Sequence, residues 1–290
     1  MINGHKIIAV TPAGRRPTLS ILSRYIEHFL KLGIIDEWHL WVNTKNDYDH
    51  AFCALLADAN PKIKLVGPLG EEDKLGTASN IKFYYKGYNE PGTVYLRIDD
   101  DICYMQLDGL TEFIQYRLDN PQYLLVYPVI VNNCAMSYKL QQEGIIGPTS
   151  PMIGGWNPSM GYPECYKGGV HPLDPVGWGN PQFAYALQST LINNKNLFRM
   201  NNFEWSQREH CCINMVSWLG EGLGKYDTEV DYDEEIFLTQ KLPSKLGKYN
   251  GVYGNYIVGH YSFYIQKQYL DATDLLEKYR LLAGELTNEI

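Results

Sequence analysis

Three consecutive aspartates, Asp99, Asp100 and Asp101, interrupt an apolar stretch: Val94, Tyr95, Leu96 and Ile98 lead into them and Ile102 follows. The arrangement reads as a strand over residues 93 to 98 that ends at a charged rim. Carboxylates this close repel one another severely if desolvated. A hard divalent cation such as Mg2+ or Mn2+ accepts oxygen ligands and resolves that repulsion. Alternation along an extended segment puts Asp99 and Asp101 on one side and Asp100 on the other. Asp99 and Asp101 are therefore the expected metal pair. The competing reading is a solvated acidic turn, and the apolar strand in front of the acids weighs against it.

That strand belongs to an alternating pattern. The run Ile7, Ile8, Ala9, Val10 reads as a buried strand, and Thr11, Pro12, Ala13, Gly14 as the loop that ends it. Thr18 is placed to cap a helix running to about residue 32, with Leu19, Leu22, Ile26 and Phe29 on one face and Gly33 at its stop. Strands follow at 38 to 42, 63 to 66 and 124 to 131. Helices follow at 47 to 58, 77 to 88 and 108 to 118. Strands separated by helices imply an α/β fold, with a Rossmann-like, mostly parallel sheet covered by helices on both faces. Ligands of such sheets bind beyond the carboxyl ends of the strands, where both residues 11 to 16 and the three aspartates fall.

The pattern weakens after Asn133. Residues 134 to 204 are rich in Gly, Pro, Asn and aromatics and read as long ordered loops and short elements. A strand at 212 to 219 follows. The acidic stretch Asp231, Asp233, Glu234, Glu235 then opens an apolar helix, an apolar run covers 256 to 264, and a helix closes the pattern at 271 to 283. Residues 1 to 133 are expected to form a donor-binding half. Residues 134 to 290 are expected to form an acceptor-binding and catalytic half, fused to it in one domain.

The formal net charge is -8 and no basic stripe is present, which argues against a nucleic-acid partner. The six cysteines lack CxxC spacing and read as free thiols rather than as a zinc site or disulfide framework. No signal-peptide pattern and no apolar run of membrane-spanning length is present, so a soluble, cytoplasmic protein is expected.

The segment Tyr95 to Asp101, with the upstream Gly76, Thr77, Ala78, Ser79, Asn80, Ile81, Lys82 and the opening strand and loop at 7 to 16, resembles the DxD-containing donor half of GT-A glycosyltransferases. The resemblance covers residues 6 to 133, with two further patches at Asp233, Glu234, Glu235 and at Gly259 to Phe263. It implies a GT-A fold and transfer of a sugar from a nucleotide diphosphate to a glycan or other hydroxyl acceptor, with inversion favoured. UDP-sugars are the favoured donors and GDP-sugars the alternative. The implied metal ligands are Asp99, Asp101 and His260, holding Mn2+ or Mg2+. The implied donor contacts are Thr11, Pro12 and Ala13 through the backbone, Arg15 and Arg16 on the diphosphate, and Asn80, Lys82, Asp99 and Asp100. Glu234, with Asp233 second, is the implied general base, since a carboxylate within reach of the acceptor hydroxyl suits that task. Trp156, His171 and Trp178 are candidates for an acceptor platform. Two other classes fit less well. A sugar nucleotidyltransferase would carry a Gly-rich loop with a Lys after the first strand, where this chain has Thr11-Pro12-Ala13-Gly14-Arg15-Arg16. A non-catalytic carbohydrate-binding protein would need neither nucleotide nor metal.

Overall fold

The computed structural model describes residues 1–66, 87–146, 181–205, 211–223 and 234–287. Its strands are β1 (Lys6–Ala13), β2 (Glu37–Val42), β3 (Ile63–Val66), β4 (Thr93–Ile98), β5 (Ile102–Met105), β6 (Val126–Val131), β7 (Phe203–Trp205), β8 (Met215–Leu219) and β9 (Asn250–His260). Among the described residues they form one nine-stranded sheet in the order β3-β2-β1-β4-β8-β6-β9-β5, with β7 beside β9. β1 to β4 pair in parallel, as do β6 and β9. β8 runs antiparallel between β4 and β6, and β5 and β7 run antiparallel to β9. Every residue of β4, β5 and β6 is buried, so both faces of the central sheet are covered. This is why these strands read as continuous apolar runs without alternation. The α/β architecture expected from the sequence is the one observed. The strands of residues 1 to 133 and those beyond share a single sheet.

Helix α1 (Arg16–Lys31) buries Leu19, Leu22, Ile26 and Phe29 as its periodicity requires. It begins ahead of the expected Thr18 cap. Pro17 lies in its first turn, where a missing N–H breaks no helical bond, and the Thr18 hydroxyl donates instead to the Arg15 carbonyl at 3.1 Å. Its end is the expected one. Gly33 takes φ +70°, and the Ile34 amide reaches back to the Phe29 carbonyl at 3.0 Å. Helix α2 (Asp47–Ala59) is capped by Asn46, whose side chain accepts from the amides of Tyr48 and Asp49.

Three expectations need correction. β1 continues through Ala13, where a loop was expected from Thr11. Its pairing with β4 stops at Val10 and only β2 accompanies it further, so Pro12 is tolerated at a position that is an edge on one side. The described parts of 134 to 204 include two regular helices, Cys134–Gln142 and Pro181–Asn193, where loops and only short elements were expected. β9 starts at Asn250, well before the expected apolar run. The expected closing helix is present as Leu275–Gly284, and a further helix, Tyr264–Asp271, precedes it. The expected helix at 77 to 88 lies almost wholly outside the described residues. Cys53 and Cys103 are free and buried, and Cys211 and Cys212 are buried as well. Among the described residues no helix is long and apolar enough to cross a membrane.

Candidate active site

Parallel strands deliver their carboxyl ends to one rim, and four of them meet there. β1 ends at Ala13, β4 at Ile98, β6 at Val131 and β9 at His260. The antiparallel β8 brings the residue before its start, Asn214, to the same rim, where its carbonyl accepts from the Asp99 amide at 2.8 Å.

The acid segment is not extended. β4 stops at Ile98 and the chain turns, with the Ile102 amide bonded to the Asp99 carbonyl at 3.1 Å. The strand alternation that would have put Asp99 and Asp101 together therefore fails. Asp100 and Asp101, which are 1% and 2% exposed, both face Arg15. Arg15 Nε donates to Asp100 Oδ1 at 2.6 Å and Nη1 to Asp101 Oδ2 at 2.6 Å, while Nη2 also contacts Asp100 Oδ1. The amides of Gly14 and Arg15 donate to Asp100 Oδ2 at 2.7 and 2.8 Å. A Cβ at Gly14 would stand 3.1 Å from the Asn43 carbonyl oxygen and from Thr44 Cβ, so only the bare backbone fits this close approach without displacing a neighbour. Asp99 turns away. Its Oδ1 is 3.0 Å from Arg97 Nη2 and its Oδ2 accepts from Asn214 Nδ2 at 3.2 Å.

His260 meets Asp101 from β9, with Nε2 at 3.2 Å from Asp101 Oδ2. Its Nδ1 lies 3.0 Å from the Asn132 carbonyl, an acceptor only, so Nδ1 carries a proton. Asn132 follows β6 with φ +65° and is fully buried. Its Nδ2 donates toward the carbonyls of His260 and Tyr261, each at 3.1 Å, and toward Gln266 Oε1 at 3.0 Å. This small network fixes the strand end that presents the imidazole.

The electrostatics follow from burial and these pairings. Burial alone would raise Asp101, but Arg15 and His260 outweigh it and hold the carboxyl at about 2. Burial alone would lower His260, and the Asp101 carboxylate beside it raises it instead. Asp99 is pushed up to about 7 by burial, against the pull of Arg97 and with the help of the neighbouring Asp101 charge.

The other expected residues fall as follows. Thr11 and Ala13 are fully buried, the Thr11 hydroxyl accepts from Trp38 Nε1 at 2.9 Å, and neither lines the two cavities at this rim. Pro12 does, in a cavity of about 340 Å³ lined by Gly14, Asn43, Arg97, Asp99 and Asp100. Arg16 lies on the rim of a second cavity of about 290 Å³, its guanidinium 5.9 Å from the centre of the Tyr48 ring. Asp101, Tyr261, Ser262 and Lys267 line this second space. Arg15 borders both. Glu234 opens the helical stretch after the acidic patch, with Oε2 3.4 Å from Arg97 Nη2, so Arg97 links it to Asp99. Asp233, Asn80, Lys82, Trp156, His171 and Trp178 lie outside the described residues.

The sequence reading missed Arg97, Asn132 and Asn214. Arg97 carries a visible signal, a charge inside an otherwise apolar strand directly before the acids. Asn132 and Asn214 carry none, because their roles depend on partners distant in sequence.

Among the described residues no group of three or more His, Cys, Asp or Glu side chains is arranged to hold a metal ion. The expected trio of Asp99, Asp101 and His260 is therefore not assembled, since Asp99 is engaged by Arg97 and Asn214. The pair Asp101 and His260 does suit a hard cation. Asp101 Oδ1 is buried and has no hydrogen-bond partner among the described residues. The protonated Nδ1 of His260 leaves Nε2 as the ligating nitrogen, the arrangement in which a backbone carbonyl orients a metal-binding imidazole. Mg2+ and its relatives are commonly held by one or two protein groups, with substrate phosphates and water completing the shell.

The fold and rim thus define an α/β protein with an acid–arginine–histidine cluster at the carboxyl ends of its parallel strands. No family model matches the chain, and no curated protein does. Among solved structures it is similar to a CMP:2-keto-3-deoxy-manno-octonic acid synthetase complexed with CTP, at 10% identity, 97% of this chain, 99% of that chain and a TM-score of 0.45. It is also similar to 4-diphosphocytidyl-2C-methyl-D-erythritol synthase from Anaerococcus prevotii, at 17% identity over 45% of this chain, with a TM-score of 0.32. The chain spans 57% of that enzyme's length. A third likeness is to glucosyl-3-phosphoglycerate synthase from Mycobacterium tuberculosis in complex with Mg2+ and uridine diphosphate, at 14% identity over 66% of each chain and a TM-score of 0.29. Matches at these scores assign no activity to this chain.

Proposed function

We propose that this protein is a metal-dependent glycosyltransferase of GT-A type that moves a sugar from a nucleotide diphosphate, UDP favoured over GDP, to a glycan or other hydroxyl acceptor. The observation that carries the reading is the buried pairing of Asp101 with His260 beside Arg15, at the rim where ligands of parallel sheets bind. Asp101 and His260 would hold the divalent cation, Mn2+ or Mg2+. When bound, that cation neutralises the diphosphate and stabilises charge on the leaving group. The cavity of Pro12, Gly14, Asn43 and Asp99 takes the nucleoside and sugar, and Arg15 offers the diphosphate a bidentate guanidinium.

In the reaction a bond forms between the acceptor oxygen and the anomeric carbon while the bond from that carbon to the diphosphate oxygen breaks. The acceptor proton passes to a base, for which Glu234 is favoured and Asp233 is the second candidate. Arg97 keeps Glu234 directed toward the Asp99 side of the rim. Trp156, His171 and Trp178 remain the candidates for the acceptor side.

The test is a thermal-shift screen of the full chain with UDP-, GDP-, dTDP- and CMP-sugars and with the nucleoside triphosphates, with and without Mn2+, on wild type and Asp101→Asn. One UDP- or GDP-sugar plus Mn2+ should raise the wild-type Tm by several degrees, and Asp101→Asn should lose that shift. Stabilisation by nucleoside triphosphates alone would favour nucleotidyl transfer. An unchanged shift in Asp101→Asn would remove the metal assignment.

A further inference from the structure

The three aspartates do not share one cavity. Asp99 and Asp100 line one and Asp101 lines the other, and the residue common to both is Arg15. Its guanidinium bridges Asp100 and Asp101, bonded to each at 2.6 Å, and the amides of Gly14 and Arg15 add two donors to Asp100. Asp101 Oδ2 is shared between Arg15 and His260, while Oδ1 has no partner among the described residues. The positive charge that the acid cluster needs is thus supplied from within the chain, by a side chain rooted in the exposed loop between β1 and α1. The Arg15 side chain is 47% exposed and borders both cavities, whereas the carboxylates its guanidinium grips are buried, so the arginine has open space beside it and the acids do not.

We propose that Arg15 is a resident counter-cation that excludes a divalent metal from Asp101 until a nucleotide diphosphate draws it away, so that nucleotide and metal bind as a coupled pair. The inference rests on the reading of the site as a metal–nucleotide-sugar centre. Two cations cannot crowd the same buried carboxylate without mutual repulsion in a low-dielectric setting, so metal binding alone is opposed. A diphosphate changes the balance. It offers the planar guanidinium a second bidentate anion a short side-chain swing away, and it brings the oxygens that complete a metal shell. Arg15 then serves the donor, and Asp101 with His260 is opened. Coupling of this kind is reciprocal: whatever factor UDP adds to metal affinity, metal adds to UDP affinity.

The test uses the full-length protein and reads binding, not turnover. Free Mn2+ is titrated by electron paramagnetic resonance with wild type, Arg15→Gln and Arg15→Lys, each with and without saturating UDP, after circular dichroism confirms native secondary structure. Wild type should bind Mn2+ poorly alone and at least tenfold more tightly with UDP. Arg15→Gln should bind Mn2+ alone at least tenfold more tightly than wild type and show a smaller UDP effect. Arg15→Lys, a point charge unable to bridge both carboxylates, should fall between them and guards against a folding failure of the glutamine variant. If either folded variant takes up Mn2+ alone no better than wild type, the exclusion role is wrong while the functional reading stands. If wild type takes up no Mn2+ even with UDP, both fall together.

Discussion

Asn132 offers a quantitative test of how the rim is held. Its amide nitrogen has two protons and three acceptors within reach: the His260 and Tyr261 carbonyls at 3.1 Å and Gln266 Oε1 at 3.0 Å. Two of these acceptors have support from elsewhere. Tyr261 O also receives Gln188 Nε2 at 2.8 Å, and Gln266 Oε1 receives the Phe263 amide at 3.1 Å. Losing a supported bond removes about 1 kcal/mol each, and stranding a less supported buried carbonyl costs about 1–3 kcal/mol. The left-handed φ of +65° adds roughly 1 kcal/mol for any residue with a Cβ that lacks asparagine's local bonding. Asn132→Ala should therefore lose about 4 kcal/mol. Asn132→Gly loses the same hydrogen bonds without the backbone penalty and should lose about 1 kcal/mol less. Urea titrations followed by tryptophan fluorescence measure both. An Asn132→Ala loss below about 1 kcal/mol, or an alanine variant as stable as the glycine one, would refute this account of the strand end.

Two further substitutions probe neighbouring features. Arg97→Met removes the cation 3.0 Å from Asp99 and 3.4 Å from Glu234; Asp99, already raised to about 7, moves higher still and takes up a proton at neutral pH, so a loss of about 1–3 kcal/mol in chemical denaturation is expected. Gly220→Ala drives a Cβ into the backbone of Glu90, which cannot yield as a side-chain tip would; a loss of roughly 2 kcal/mol, seen as a Tm lower by several degrees, should follow.

What the sequence made legible was local. β2, β3 and β4 were found within a residue because each is an apolar run bounded by turn residues, and α1 was found because Leu19, Leu22, Ile26 and Phe29 repeat on one face. The acids were found because charge beside an apolar strand stands out. Their geometry was not, because extended alternation was applied to a segment that turns. Arg15 and Asp100 meet across 85 residues, and Asn132 meets His260 and Tyr261 across 128 and 129. No window of sequence contains such pairs. β5 and β7 were missed because they are only four and three residues long and owe their pairing to β9.

The position of β8 in the sheet has a consequence for biogenesis. β1 to β4 are synthesised early and can pair among themselves, but β4 then has one side open until the much later β8 is inserted beside it. During that interval the nascent chain presents an unpaired, largely apolar strand, the kind of surface that chaperones retain and that otherwise aggregates. The acid turn that caps this strand gains Asn214 and His260 only when the same late segments arrive, so closure of the vulnerable edge and completion of the candidate centre are one assembly event.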